Sequence, residues 1–286
     1  MFVAAGCPIS WACQNYGSVN LHREPASAPM TSLPACKVLD TSPFRLIVFA
    51  CVAVLPPPAL CAESSPAQLP VVGLLEMEVG GLRVRADGAR RDSLPVQLRL
   101  AFSPEWGLLL GGEVHVVNYD DARDGAPSAS GAGDTTVVLK RTWAIDDATG
   151  LGLELGVQLA TAKDSIGSGK TDTALNAIYS KDLGSVHMDV NLNFTRFGAV
   201  DVDTGRIQTG LSASFSTPLN AQWSVTAELS GTRRSGADRT RQLLGALSYS
   251  PSKQLTFDIG MARAAKPSPG ATSLFANVVF PVAVLW

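Results

Sequence analysis

From about residue 71 onward, apolar and polar residues alternate along most of the chain. The stretch SVHMDVNLNFTRFG, residues 185–198, is a clear case. Val186, Met188, Val190, Leu192 and Phe194 are apolar, and Ser185, His187, Asp189, Asn191, Asn193 and Thr195 between them are polar. Successive side chains of a strand point to opposite faces, so strict alternation makes one face apolar and the other polar. We read twelve such segments. Leu94 to Leu100 alternate with Gln97 and Arg99, Leu151 to Leu159 with Glu154 and Gln158, and Leu255 to Met261 with Thr256 and Asp258. The last segment runs through Leu274, Ala276, Val278, Phe280, Val282, Val284 and Trp286. These runs span about 10 to 14 residues, whereas strands of soluble domains usually have about 5 to 6. A tilted strand needs about 9 to 11 residues to cross the hydrocarbon of a bilayer.

The connections sort by length. Pro104-Glu105-Trp106, Asp147-Ala148-Thr149, Asp182-Leu183, Pro218-Leu219-Asn220 and Pro251-Ser252-Lys253 read as tight turns. Between them fall longer polar stretches, at about 86–93, 119–132, 164–170, 198–206, 234–239 and 264–271. Short turns on the periplasmic side and long loops outside are the signature of an outer-membrane barrel. The expected fold is therefore all-β, an antiparallel up-and-down transmembrane barrel of about twelve strands. Its closure leaves no unpaired strand edge in lipid. The apolar face of residues 186–194 then meets outer-membrane lipid.

Composition narrows the picture. Net charge is -2 and no nucleic-acid motif occurs, so no nucleic-acid partner is expected. After residue 62 no run of 18 apolar residues exists, which argues against a helical membrane protein. All five cysteines (Cys7, Cys13, Cys36, Cys51, Cys61) fall within the first 61 residues, as in an exported chain whose mature part avoids thiols. Lys37 and Arg45 precede the apolar run Leu46–Leu55, Pro56-Pro57-Pro58 breaks it, and Ala59-Leu60-Cys61-Ala62 offers small residues for cleavage. This reads as a signal peptide over residues 30–62, cut after Ala62, with Cys61 as the alternative. Met30 suits the start of a leader, which makes residues 1–29 an upstream extension. Residues 63–70 form a short periplasmic segment, and 71–286 the barrel. The expected location is the outer membrane of a Gram-negative bacterium.

Alternation also sorts the candidate functional residues. Inward parity selects Glu76, Glu78, Arg99, Glu113, His115, Lys140, Glu154, His187, Asp189, Glu228 and Asp258. A bulge at Gly80-Gly81 is expected to turn Arg83 and Arg85 inward as well. Such a mixed-sign lumen reads either as ion pairs that fill the barrel or as a narrow pore that selects solutes. Trp106, Trp143, Trp223 and Trp286 fall near the periplasmic strand ends, as an interfacial aromatic girdle requires. Arg141 shares parity with the lipid-facing residues of its strand, near a turn where its side chain reaches the interface. The final aromatic, Trp286, resembles the C-terminal signal read by the outer-membrane assembly machinery.

Catalytic chemistry finds little support. His115 and His187 are the histidines beyond the leader, and neither makes a His-x-Ser pair. No metal spacing occurs, GSGK at 167–170 lacks the P-loop pattern, and no cofactor is expected. Two stretches carry a family likeness: Gly131-Ala132-Gly133-Asp134 followed by TTVVLKRTW, and LATAKDSIGSGKTDTALNAIYSKDL from Leu159 to Leu183. They resemble the outer-membrane transporters of the phenol meta-degradation (MetA-pathway) family, over about residues 73–286. The resemblance implies passive diffusion of a small, aromatic or apolar, solute. A lipid-acting barrel enzyme and a structural barrel with a closed lumen are the alternatives.

Overall fold

A computed structural model describes residues 63–86, 88–120, 127–200, 202–265 and 270–286. The upstream extension and the leader lie outside the described residues. The strands are β1 (Leu74–Ala86), β2 (Ala89–Ala101), β3 (Trp106–Tyr119), β4 (Ala129–Gly131), β5 (Thr135–Asp146), β6 (Thr149–Leu159), β7 (Asp172–Leu183), β8 (Val186–Arg196), β9 (Ile207–Pro218), β10 (Trp223–Arg234), β11 (Thr240–Ser252), β12 (Leu255–Ala264) and β13 (Thr272–Val284). Short β4 pairs with the end of β3. The other twelve each bond antiparallel to their neighbours, and β1 bonds to both β2 and β13, so the sheet closes into a barrel. Wall strands run from 10 residues in β12 to 14 in β3.

Burial identifies the two faces. On β10 Leu229 is 62 % exposed and Glu228 2 %; on β12 Ile259 is 62 % exposed and Asp258 6 %. The apolar residues line the outside and the polar ones the lumen, the reverse of a soluble domain and the arrangement that lipid requires. One end carries the short turns 102–105, 147–148, 184–185, 219–222 and 253–254. The other carries the longer connections 120–134, 160–171, 197–206, 235–239 and 265–271. Residues 86–93 depart from the expected loop: β1 and β2 continue toward each other and join across 87–88.

Three residues face the other way from the expectation. Arg83 and Arg85 point outward, because pairing with β13 runs unbroken from Glu76 to Arg85 and the irregularity lies at Leu75/Glu76 instead of Gly80-Gly81. Their even-numbered neighbours Leu82 and Val84 pack inside against Leu244, Ala262 and Phe275. Arg83 meets Asp92 on the outer surface at 2.7 Å. His115 is also exposed on the outside. Leu94 pairs with His115 but Pro95 with Glu113, so Val114 is an extra residue that reverses the parity beyond it. Proline has no N–H to give the ladder, and Pro95 marks the place where pairing breaks.

The seam where the barrel closes depends on one glycine. Gly73 donates its N–H to the Ala101 carbonyl at 2.9 Å, and its own carbonyl accepts from Leu285 at 2.8 Å. Its φ is 80°, and a Cβ there would lie 2.7 Å from the Trp286 carbonyl oxygen. Gly73→Ala combines a left-handed backbone with that clash and should cost about 1–2 kcal/mol. The urea midpoint for loss of the heat-modifiable band on a gel should fall. Gly81→Ala, where a Cβ meets nothing within 4 Å, should fall much less.

Candidate functional site in the barrel lumen

The lumen is occupied by the chain's own segment ahead of β1. Residues 63–73 enter at the short-turn end, where Val72 bridges to Ala101, and reach Glu63 beside the middle of β10. The Glu63 and Ser64 N–H groups donate to the two Glu228 carboxylate oxygens at 2.8 and 3.0 Å. Ser65 N–H donates to Asn191 Oδ1 at 2.9 Å, and Asn191 Nδ2 returns a bond to the Ser65 carbonyl at 3.1 Å. Ala67 N–H donates to Ser180 Oγ at 2.7 Å. Glu63, Ser64 and Ser65 are all buried. Inward glycines make room: a Cβ on Gly107 would lie 2.6 Å from Leu69 Cδ2, and one on Gly152 3.4 Å from Ala67 Cα.

A charged network surrounds this segment. Lys140 on β5 reaches Glu154 on β6 at 2.8 Å, with both side chains almost fully buried. Lys140 Nζ also donates to Ser65 Oγ at 2.8 Å and to the Pro66 carbonyl at 2.7 Å. Ser65 Oγ in turn donates to Glu154 at 2.6 Å. Asn176 on β7 donates to Glu154 at 2.8 Å and to Asn191 at 2.9 Å. Nearby, Ser180 donates to Asp189. His187 lies 2.5 Å from Asp182 through Nδ1 and 3.2 Å from Asp189 through Nε2, so both ring nitrogens meet carboxylates. Across the barrel Asn277 donates to Glu78 at 2.8 Å and to Asp258 at 3.1 Å, and Arg99 lies 3.7 Å from Glu76. Glu63 stands ahead of the strands; burial, with the Glu228 carboxylate next in effect, pushes its carboxyl up to about 8.

The long-loop end is different. Arg91 pairs with Glu113. Asp134 accepts from Ala162 N–H at 2.9 Å and Gln158 Nε2 at 3.1 Å, which draws in connection 160–171. Asp172 accepts from Gly198 N–H at 2.7 Å, and the Arg234 guanidinium lies 4.7 Å from the Phe197 ring centre. Ile166 and Phe197 are each 2 % exposed, buried in the loops. On the β1, β11, β12 and β13 side the inner wall is apolar, formed by Leu82, Val84, Leu244, Ala262, Ala264 and Phe275. Phe275 packs over Gly260, where a Cβ would lie 2.2 Å from its ring.

The structure therefore brings Lys140, Glu154, His187, Asp189 and Glu228 around the inserted segment, and Glu76, Glu78, Arg99 and Asp258 onto the facing wall. Glu113 lies nearer the long-loop mouth. Arg91 was hidden because 86–93 read as loop. Asp134 was visible only as the last residue of the G-x-G-D stretch. Asn176 and Asn191 carried the right parity but no charge to draw notice. Outside, Arg141 sits 5.0 Å from the Trp106 ring and 4.8 Å from Trp143, and 3.2 Å from Glu105. The Trp223 and Tyr249 rings meet at a tilt of 33° with centres 4.7 Å apart, and Trp286 covers Gly73. Among the described residues no group of three or more His, Cys, Asp or Glu is placed to hold a metal ion.

Comparison with known proteins bears on the fold. No family model and no curated protein matches the chain. Solved structures do. An outer-membrane channel from Pseudomonas putida F1 aligns with a TM-score of 0.60 at 17 % identity, covering 78 % of this chain and 100 % of that one. The NanC porin aligns with a TM-score of 0.54 at 10 % identity, covering 72 % of this chain and 100 % of that one. The chain has the closed antiparallel barrel of outer-membrane channels.

The Lys140–Glu154 pair gives a direct test of the network. Lys140→Met leaves Glu154 buried without its cation and should cost about 3–5 kcal/mol, read as a lower urea midpoint. Adding Glu154→Gln removes the stranded charge and should recover most of that loss.

Proposed function

We propose that the protein is an outer-membrane channel that passes small, partly apolar or aromatic solutes by passive diffusion through a narrow lumen. One observation carries the reading: the lumen has two chemically different walls. An outer-membrane barrel interior is ordinarily polar, yet here Leu82, Val84, Leu244 and Phe275 make an apolar strip facing a hydrogen-bonded polar wall. A solute with an apolar body and a polar edge suits such a path, in keeping with the resemblance to transporters of aromatic compounds. The inserted segment narrows the path, so a small solute suits it better than a large one.

The outer surface supports an orientation in the membrane. Arg85, Arg196, Arg233, Arg241 and Arg263 are exposed on outward positions at the long-loop end. Arg85 and Arg263 flank Thr272 at one height across β1, β13 and β12. A collar of guanidinium groups suits the phosphates of glycolipid headgroups in the outer leaflet. Trp106, Trp143 and Trp223 sit at the opposite end, where a periplasmic girdle belongs.

The test is single-channel conductance of the refolded chain from residue 63 in a planar bilayer. Small, discrete steps with preference for cations are expected, since Glu78, Asp258 and Asp172 are inward carboxylates without an ion pair at 4 Å among the described residues. Asp189→Lys should weaken that preference. Deleting residues 63–70 should raise conductance several-fold. A protein that is folded, heat-modifiable and silent both with and without the segment would overturn the channel reading.

A further inference from the structure

The position of Glu63 raises a question of charge. Its backbone nitrogen and that of Ser64 hold both oxygens of Glu228, a carboxylate 2 % exposed in the middle of the lumen. Among the described residues no arginine, lysine or histidine nitrogen lies within 4 Å of the Glu228 carboxylate. Lys140, the buried base of this network, is committed to Glu154 and to the Ser65–Pro66 stretch. Glu63 Oε2 is also buried without a hydrogen-bond partner among the described residues. Two carboxyl groups thus share a site with no side-chain cation. Such an arrangement is costly unless a positive charge arrives from elsewhere.

The leader supplies the missing charge. The apolar run 46–55, the proline break and the small residues before Ala62 place a cleavage point immediately ahead of Glu63. We infer that cleavage after Ala62 makes the α-amino group of Glu63 a buried ammonium paired with Glu228, a latch that fixes the mature N-terminus inside the lumen. Hydrolysis of the Ala62–Glu63 bond consumes one water. The carboxylate stays on Ala62 and leaves with the leader; the ammonium stays on Glu63. An amide N–H that donated one hydrogen bond becomes a cation with three donors beside two carboxyl groups. The uncleaved chain cannot form this pair, because its Glu63 nitrogen is an uncharged amide. Processing and lumen occupancy are thereby linked: the same bond scission that frees the barrel from its leader creates the charge that seats residues 63–67.

The geometry around the site fits a terminus. Residues 63–67 are held chiefly by backbone groups: N–H of Glu63, Ser64, Ser65 and Ala67, and the carbonyls of Ser65 and Pro66. Most of that register therefore tolerates sequence change in the segment but not a change in where it starts. One added residue displaces the ammonium by about 3.8 Å, beyond ion-pair reach.

The test uses protein taken from outer membranes in detergent. Intact mass should show a chain beginning at Glu63. The folded protein is then treated with 2-pyridinecarboxaldehyde, which condenses with α-amines, and labelling is followed by mass. Pairing with a carboxylate keeps the amine protonated. Labelling of the folded form should be at least ~10-fold slower than of the urea-unfolded form, the factor set by one pKa unit. Glu228→Gln, close to isosteric, should remove most of that protection while the band remains heat-modifiable. A mature chain starting elsewhere, wild-type labelling equally fast in both states, or Glu228→Gln labelling as slowly as wild type would each overturn the latch. If Glu228→Gln fails to fold, the wild-type comparison still decides. Labelling does not depend on conduction, so a silent channel leaves this result untouched.

Discussion

A bilayer core offers no water to a backbone N–H or C=O, and each unpaired group there costs several kcal/mol. Every feature of this barrel follows from that demand. An open sheet of twelve strands would leave one edge of β1 and one of β13 bare. Pairing from Leu74 with Val284 to Arg85 with Thr272 removes both edges together. The strands are longer than those of soluble proteins because each must cross the hydrocarbon. Closure also explains Gly73, whose left-handed backbone lets the chain turn from the lumen into β1 while both its peptide groups bond to the seam.

Closure creates a second constraint inside. Twelve strands enclose a volume that side chains alone do not fill evenly, and strand alternation turns roughly half of them inward. Inward carboxylates cannot remain isolated in so confined a space. The barrel meets this in two ways. On β5 to β8 and β10, acids and amides bind the chain's own N-terminal segment and one another. On β1, β11, β12 and β13 the wall turns apolar toward the long-loop end and needs no partners. The two-sided lumen is thus one answer to a single packing problem, and the same answer supplies a path with an apolar and a polar side.

Much of this was legible in the alternation. Fold class, strand number and most of the inward charges follow from period-two reasoning, because a strand offers only two directions. The failures have the same origin. One inserted residue reverses every side chain beyond it, so Val114 moved His115 from lumen to lipid face, and the absence of an insertion at Gly80-Gly81 kept Arg83 and Arg85 outside. Pro95 was the readable sign of the first: a proline within a strand marks broken pairing. Nothing comparable marked the second, since paired glycines suit a bulge and an ordinary strand equally. The seating of residues 63–67 was not legible at all. A segment held through its backbone writes no periodic pattern, and two of its receptors, Asn191 and Ser180, look like any other inward polar residue.

The choice of a backbone plug over larger wall side chains has a physical consequence. Bulky residues at Gly107, Gly150 and Gly152 would fill the same volume permanently, as part of the fold. An inserted segment fills it through hydrogen bonds that are separate from the strand ladder, so its seating does not have to share the fate of the barrel wall. The wall glycines are therefore more than tolerated gaps: a Cβ on Gly107 would meet Leu69, and one on Gly152 would meet both Ile178 and Ala67. A barrel built this way can hold its strands fixed while the free energy of its lumen contents is set elsewhere, by the few polar groups that grip residues 63–67. Width of the path and stability of the barrel thus become separately adjustable properties.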